Sequence, residues 1–146
     1  MKKNNNALFY TCSLIEFIAR KTKNSRGFVV DCLGDDISRI YSHQDVFHCE
    51  PIEKVADDFI RRDSIAEGSF DAVKKCRYTV PDYWDIGEVF ARLVEDSYSE
   101  QNVIKGIEEV FHSWLADKIV NFNSDLYYQS REYLAECYKQ GKLLIA

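Results

Sequence analysis

Residues 7–21 read ALFYTCSLIEFIARK, and this stretch decides the fold. Plotted at about 100° per residue, its apolar side chains fill roughly half of a helix circumference. Phe9, Tyr10 and Phe17 widen that apolar surface on two sides. A helix that is apolar nearly all round must be wrapped by neighbouring helices or docked on a partner, because exposure would leave large aromatic surface in water. We therefore expect a central helix, and we predict that its three aromatic residues contact a partner.

A narrow polar strip interrupts the apolar surface of this helix. The strip consists of Ser13, Glu16 and Arg20. Glu16 and Arg20 are four residues apart, a spacing that favours an ion pair on the surface of a helix. The strip therefore predicts one local ion pair.

The composition describes a globular protein with an acidic balance. Of the 146 residues, 46% are hydrophobic and 14% aromatic, which is enough for a domain with its own core. The formal net charge of −5 argues against a general nucleic-acid binder, which needs a basic surface. The same charge would favour the approach of a basic protein partner. We expect one helical domain over residues 1–146.

The cysteine usage and the hydropathy pattern indicate a cytoplasmic protein without a membrane partner. The five cysteines are odd in number, widely spaced and free of CxxC pairs, which is typical of reduced thiols rather than of a disulfide framework. No apolar run reaches the length of a transmembrane helix. Glu16 and Arg20 interrupt the first apolar segment, so it does not resemble a signal peptide.

Candidate helix caps divide the chain into six or seven helices with almost no alternating strand pattern. The caps are Asn24 or Ser25, Asp35, Ser69 or Asp71, Asp82, Ser99 and Ser130, and Gly34 and Gly141 are the expected helix stops. This pattern predicts an all-α, single-domain orthogonal or irregular bundle around the apolar N-terminal helix. A polar start over residues 2–6 offers an asparagine cap for the first helix. The helices are expected over residues 7–21, 26–33, 36–41, 51–62, 82–98, 99–121 and 130–140, with a further short helix that starts at residue 69 or 71.

Residues 42–50 form the predicted loop with the most chemistry. The loop contains four side chains of metal-ligating type, namely His43, His48, Cys49 and Glu50. A zinc site would need a second ligand pair from elsewhere, and only His112 or Cys76 could supply it through the fold. We interpret the segment as a polar loop and expect no metal and no cofactor. A metal-dependent enzyme that uses this loop remains a third hypothesis.

Two further groups of reactive residues have plain structural interpretations. Cys12 and Cys49 lack the basic or helix-terminal surroundings that activate a thiol, so we expect inert thiols. Residues 81–87 read PDYWDIG, and Asp82 and Asp85 could act as an acid–base pair. Both carboxylates also suit the exposed N–H groups of a first helical turn, and we favour this capping interpretation.

A basic cluster surrounds the junction between the first two predicted helices. It consists of Arg20, Lys21, Lys23 and Arg26. The junction is the one segment that resembles a helix–turn–helix, so a nucleic-acid-binding regulator is the second hypothesis. Basic residues at a helix end are more often solvated partners of the helix dipole. Nucleic acid therefore remains an unlikely partner.

The C-terminal part of the chain is rich in tyrosine. Tyr127, Tyr128 and Tyr133 lie within seven residues of one another. Tyrosine is enriched at protein interfaces because its ring is large and apolar, while its hydroxyl can remain solvated. Such residues also serve as half-buried packing groups. We predict that these three tyrosines, with Phe9, Tyr10 and Phe17, bind the partner.

Residues 9–24, FYTCSLIEFIARKTKN, and residues 83–96, YWDIGEVFARLVED, resemble a family of small bacterial helical proteins. The resemblance covers nearly the whole chain and implies an accessory role beside toxin–antitoxin-like genes. It brings no catalytic motif. The leading hypothesis is therefore a non-enzymatic interaction protein of the bacterial cytoplasm, such as an antitoxin, immunity protein or accessory regulator. Its partner would be another protein or a second copy of the chain.

Overall fold

A computed structural model of the chain describes residues 6–145. Within these residues the fold contains ten α-helices, two short 3₁₀ helices and no strand, which confirms the predicted all-α single-domain bundle. Of the predicted polar start, only Asn6 lies within the described residues. The α-helices are α1 (Asn6–Thr22), α2 (Arg26–Leu33), α3 (Asp36–Ser42), α4 (Gln44–Phe47), α5 (Ile52–Arg62), α6 (Ala72–Lys75), α7 (Tyr83–Ser97), α8 (Val103–Phe111), α9 (Trp114–Ile119) and α10 (Arg131–Gln140). The 3₁₀ helices cover Glu100–Asn102 and Leu126–Tyr128.

Helix α1 lies at the centre of the bundle. It contacts α2, α3, α4 and α5, and it packs most extensively against α7. Leu14, Ile15 and Ile18 are fully buried, as expected for a helix that is apolar nearly all round. The other helices of the chain therefore cover most of the apolar surface of α1.

A glycine lets α7 approach α1 closely. A Cβ atom at Gly87 would lie 2.0 Å from the Oγ atom of Ser13 and 2.7 Å from its Cα atom. Any larger residue would force the two helices apart, because one of these contacts is with the backbone itself. Because α7 packs so closely on α1, one face of α7 is buried in the core and the opposite face lies at the surface.

The predicted helix ends are largely confirmed. Four predicted capping side chains each accept a hydrogen bond from a backbone N–H of the first turn, namely Ser25, Asp71, Asp82 and Ser130. Gly34 and Gly141 follow α2 and α10 with φ angles of 53° and 75°, which an L-residue with a side chain rarely adopts. These ends depend on local chemistry, and the sequence specifies them.

The prediction of one long helix over residues 99–121 is wrong. The structure divides this segment into a 3₁₀ helix, α8 and α9. Ser113 has an extended backbone, donates its hydroxyl to the carbonyl of Val110 at 2.7 Å and accepts from the N–H of Ala116. The serine thus ends one helix and starts the next, and α1 with 17 residues is the longest described helix.

The predicted loop over residues 42–50 contains a short helix. Residues of α4 (Gln44–Phe47) make one helical turn within it. The ring of Phe47 packs edge-on against the ring of Phe59 in α5, with 5.4 Å between the centroids. This apolar contact supplies a reason for local order that the polar composition of the segment did not indicate.

Two helix starts are made differently from the prediction. Asp35 precedes α3, but its side chain makes no capping hydrogen bond. Asp36, the first residue of α3, pairs instead with Arg62 at the end of α5, 2.9 Å away. Pro51 lies just before the first residue of α5 rather than within the helix. Both helices nevertheless begin within one residue of the expected position.

Candidate interaction surface

The aromatic residues of α1 pack against the start of α7. The Phe9 ring lies 5.4 Å from the Trp84 ring, and the Phe17 ring lies 4.9 Å from the Tyr83 ring. Tyr10 is only 1% exposed, and burial raises the pKa of its hydroxyl to about 12. A partner could reach Tyr10 only if the helices separated. Phe9 and Phe17 remain partly exposed at the surface of the bundle.

The three predicted tyrosines near the C-terminus occupy different environments. Tyr127 is partly buried and packs edge-on against Phe122, with 5.9 Å between the ring centroids. The hydroxyl of Tyr133 donates to the carbonyl of Leu144 at 2.7 Å, so this side chain holds the segment after α10 in place. Tyr128 is 68% exposed. Of the three, Tyr128 therefore offers the most surface to a partner.

A groove across the outer face of α7 connects Phe9 with Tyr127 and Tyr128. One cavity of about 350 Å³ lies between α7 and the 3₁₀ helix Leu126–Tyr128. A second cavity, of about 280 Å³, lies beside Phe9 and shares three lining residues with the first. The two cavities lie side by side along α7 with Glu88, Arg92 and Arg131 between them. Together we call them the α7 groove and define it by Phe9, Asp85, Glu88, Val89, Arg92, Tyr127, Tyr128 and Arg131.

The groove is apolar in parts and acidic in balance. Arg131 binds Asp96 at 2.8 and 2.9 Å and Glu95 at 2.5 Å, and these hydrogen bonds raise the pKa of its guanidinium above the ordinary range. Arg92 pairs with Glu88 at 3.2 Å. Asp85 forms no ion pair with any residue that the structure describes. Among the residues that line the two cavities, three carboxylates, Asp85, Glu88 and Glu95, face two guanidinium groups, so the lining has one negative charge in excess.

The basic junction between α1 and α2 is neutralised within the chain. Arg26 is 2% exposed and binds the fully buried carboxylate of Glu16, which also binds Arg20 at 2.8 Å. The two lysines pair with acidic residues as well, Lys21 with Asp57 at 2.8 Å and Lys23 with Glu67 at 3.3 Å. A nucleic-acid surface needs cations that are free to replace phosphate counterions. The ion pairs of these four basic residues therefore argue against nucleic-acid binding at this junction.

The histidines and cysteines that could have formed a metal site do not cluster in the part of the chain that the structure describes. Among the described residues, no group of three or more His, Cys, Asp or Glu side chains could hold a metal ion. His112, which could have completed a zinc site, contacts the carbonyl of Glu108 at 2.7 Å and the carboxylate of Asp31 at 2.9 Å. The backbone contact, followed by the charge of Asp31, raises the pKa of His112. His48 instead packs against Tyr10, with 4.9 Å between the ring centroids and the two ring planes tilted by 40°.

The predicted inert thiol and the predicted helix cap are both in place. Cys12 is fully buried, and burial raises the pKa of its thiol, so the thiolate that a nucleophile needs is disfavoured. The carboxylate of Asp82 accepts the N–H of Trp84 at 2.6 Å, as a capping residue should. Neither residue contributes a catalytic pair.

The sequence reasoning missed Val89, Arg92 and Arg131 as residues of the groove. Arg92 is exposed, whereas Val89 and Arg131 are half-buried, and none of the three belongs to a motif in the sequence. Phe9 and the pair Tyr127 and Tyr128 were the signals of the site in the sequence, and the pair carries the larger part of it. The position of this pair beside α7 depends on the path of residues 120–130, which no local pattern specifies.

Two further findings complete the description. None of the helices in the described residues combines the length and the apolar character that crossing a membrane requires. Comparison of the chain with protein-family models, curated proteins and solved structures finds no match.

Proposed function

We propose that this chain is a non-enzymatic bacterial interaction protein that binds a protein partner in the α7 groove. The specific form of the proposal is an antitoxin, immunity protein or accessory regulator of the cytoplasm, as the resemblance implies. The exposure of the Tyr128 ring, 68%, at one end of a groove that reaches Phe9 is the observation that carries the proposal.

The chemistry of the groove suits a protein partner. Interfaces combine aromatic anchors with a polar rim, and tyrosine and arginine are enriched among the residues that dominate binding. The α7 groove has this composition, with Tyr127, Tyr128 and Val89 beside the charged residues of α7. An exposed aromatic ring next to a cavity gains most when a partner covers it, because water is then released from apolar surface.

Several reactive side chains of the described residues have structural uses, which supports binding rather than catalysis. Glu16, Arg20 and Arg26 form a buried network, and His112 bridges α8 to α2. An enzyme needs a nucleophile or base that is free to meet its substrate within a cleft. The groove instead holds carboxylates and guanidinium groups that are mostly paired with each other.

The proposal is tested by capture from the native host. The protein carries a tag at its C-terminal end, because Phe9 of the groove lies near the N-terminal end. Wild type is expected to retain one stoichiometric protein partner, which mass spectrometry identifies. Tyr128→Ser should lose that partner. Tyr78→Ser is a matched control, because Tyr78 is 67% exposed but does not line the groove.

Three outcomes would change the proposal. Equal retention of the partner by both tyrosine variants would show that the groove is not the binding surface. A protein that arrives alone and forms a dimer, which Tyr128→Ser makes monomeric in light scattering, would identify a second copy as the partner. A monomer that binds nothing and turns over a small substrate would overturn the proposal.

A further inference from the structure

Asp85 lies at the tyrosine end of the α7 groove and has an unusual position among its carboxylates. It lines the cavity of about 350 Å³ together with Tyr127 and Tyr128. It forms no ion pair with any described residue, although the neighbouring carboxylates of α7 each bind an arginine. The cavity, whose lining also includes Arg92 and Arg131, thus combines a carboxylate that forms no ion pair with the ring of an exposed tyrosine.

We infer that this pocket receives an arginine side chain of the partner, and the inference rests on the proposed function. The occupant is a basic protein segment in which one guanidinium group lies against Tyr128 and pairs with Asp85. The volume of the cavity is at the lower end of the range of ligand pockets, which is ample for one arginine side chain.

A guanidinium group satisfies both features of the pocket at once. It is planar, it binds a carboxylate through two parallel N–H donors, and it stacks on aromatic faces. An ammonium group of lysine is a hydrated point charge that uses the carboxylate but gains less from the ring. A phosphate group would be repelled by the excess of carboxylates along α7. The chemistry therefore selects arginine over lysine and excludes a nucleic acid.

The chain already binds its own arginines in these two ways. Arg131 lies between two carboxylates of α7, and Arg92 pairs with Glu88. Arg20 lies over the ring of Phe122, 5.1 Å from its centroid. Arg92 and Arg131 line the same cavity, but their ion pairs are with other carboxylates of α7 and not with Asp85. A cation from a partner can pair with Asp85.

The test uses isotope-labelled full-length protein and three small probes. Arginine amide, lysine amide and citrulline amide are titrated at constant ionic strength, and backbone amide signals are followed by NMR. Citrulline amide is the matched control, since it has the shape of arginine without the charge. Arginine amide should cause saturable shifts at Asp85, Tyr127 and Tyr128. Lysine amide should bind more weakly, and citrulline amide should leave these signals unchanged.

A pair of variants identifies the carboxylate. Asp85→Asn keeps the size of the side chain and should weaken the binding of arginine amide about fivefold, the effect expected for one partly exposed ion pair. Glu53→Gln changes a carboxylate in the first turn of α5, far from the groove, and should leave the binding unchanged. The dispersion of the NMR spectrum shows whether each variant is folded.

The outcomes separate this inference from the proposed function. An absence of saturable shifts at these residues, or equal binding of arginine and citrulline amides, would overturn the arginine pocket. Equal binding of lysine amide would overturn the selection of guanidinium. If either occurs while Tyr128→Ser still loses its captured partner, the proposed function stands and only the class of the bound side chain is wrong.

Discussion

Two ion networks in this chain have the same chemistry but opposite surroundings. In the first, one carboxylate, Glu16 of α1, holds the guanidinium groups of Arg20 and Arg26. Glu16 is 0% exposed and Arg26 is 2% exposed. In the second, the guanidinium group of Arg131 lies between two carboxylates of α7 at the edge of the groove, and its side chain is 32% exposed.

The difference shows that burial decides what an ion network does for a protein. Charges that leave water completely must be matched by good hydrogen bonds, and the loss of one partner leaves the others uncompensated. The Glu16 network therefore fixes α2 against α1 and is unavailable for binding. Charges at the surface remain partly solvated and exchange partners at little cost. The Arg131 network can therefore adjust when another protein enters the groove.

The strongest test of this comparison is Glu16→Gln. Glutamine has the size of glutamate, but it leaves two buried guanidinium groups without a counter-charge. We expect a loss of about 3–5 kcal/mol in the free energy of unfolding, the usual cost of breaking a buried ion pair. Urea unfolding followed by circular dichroism measures the loss. A loss below about 1 kcal/mol would show that water reaches the Glu16 network. Burial would then no longer distinguish it from the Arg131 network.

The matched change at the surface is Arg131→Gln. It leaves the carboxylate of Asp96 27% exposed and that of Glu95 10% exposed. Because water still reaches this edge of the bundle, we expect a loss of about 1 kcal/mol, smaller than that of Glu16→Gln. The difference from wild type should shrink at high salt, because added ions screen exposed charges. The same urea titration at low and high sodium chloride concentration measures it. A loss as large as that of Glu16→Gln would mean that burial does not separate the two networks.

A third group of charges sharpens the comparison, because both of its arginines, Arg39 and Arg62, pair with Asp36 and neither pairs with Asp63. One carboxylate oxygen of Asp63 is buried without a hydrogen-bond donor among the described residues. Burial, and then the nearby Asp36, raise the pKa of Asp63 to about 6. This pKa exceeds the ordinary value, so the proton stabilises the folded state. That contribution is complete below about pH 4 and is lost as the pH rises through 6.

Asp63→Asn should remove this dependence on pH. The variant carries no charge, so it should be more stable than wild type at pH 8, and the gain should be smaller at pH 5. The expected gain at pH 8 is a few tenths of a kcal/mol to about 1 kcal/mol. Thermal unfolding of both proteins across this pH range measures the difference. A gain that is independent of pH would show that Asp63 is not the titrating group.

The smallest effect on stability is expected for Tyr128→Ser. The ring is 68% exposed, so its removal should change the free energy of unfolding by less than about 0.5 kcal/mol. The same variant should lose the captured partner. If Tyr128→Ser loses the partner but keeps its stability, Tyr128 serves binding and not folding. A large loss of stability would mean that Tyr128 belongs to the core instead.

Much of the fold was predictable because its signals are local. Ser25, Asp82 and Ser130 cap helices through hydrogen bonds to their own first turns, and Gly34 and Gly141 end helices through their backbone freedom. The break between α8 and α9 was missed, because the apolar stripe continues across Ser113 and conceals the capping serine. A periodic pattern specifies which face is buried but not whether the helix is continuous.

The candidate site was predictable only in part. The sequence indicated Tyr127 and Tyr128 by residue type alone. It also suggested a basic surface around Arg26, whose side chain the fold turns inward onto Glu16, ten residues away. Charged residues at a helix end look the same in a sequence whether they face water or a buried carboxylate. Their surroundings are set by contacts between segments.

By itself the sequence determined that this chain forms helices, where most of them begin and end, and that the first helix lies at the centre. These properties follow from hydrogen bonds and apolar periodicity within a few residues. Only the tertiary structure decided that Glu16 is buried between two arginines, and that Phe9 and Tyr128 lie at the ends of one groove. The physical reason is that burial and charge pairing depend on distances between segments far apart in the chain.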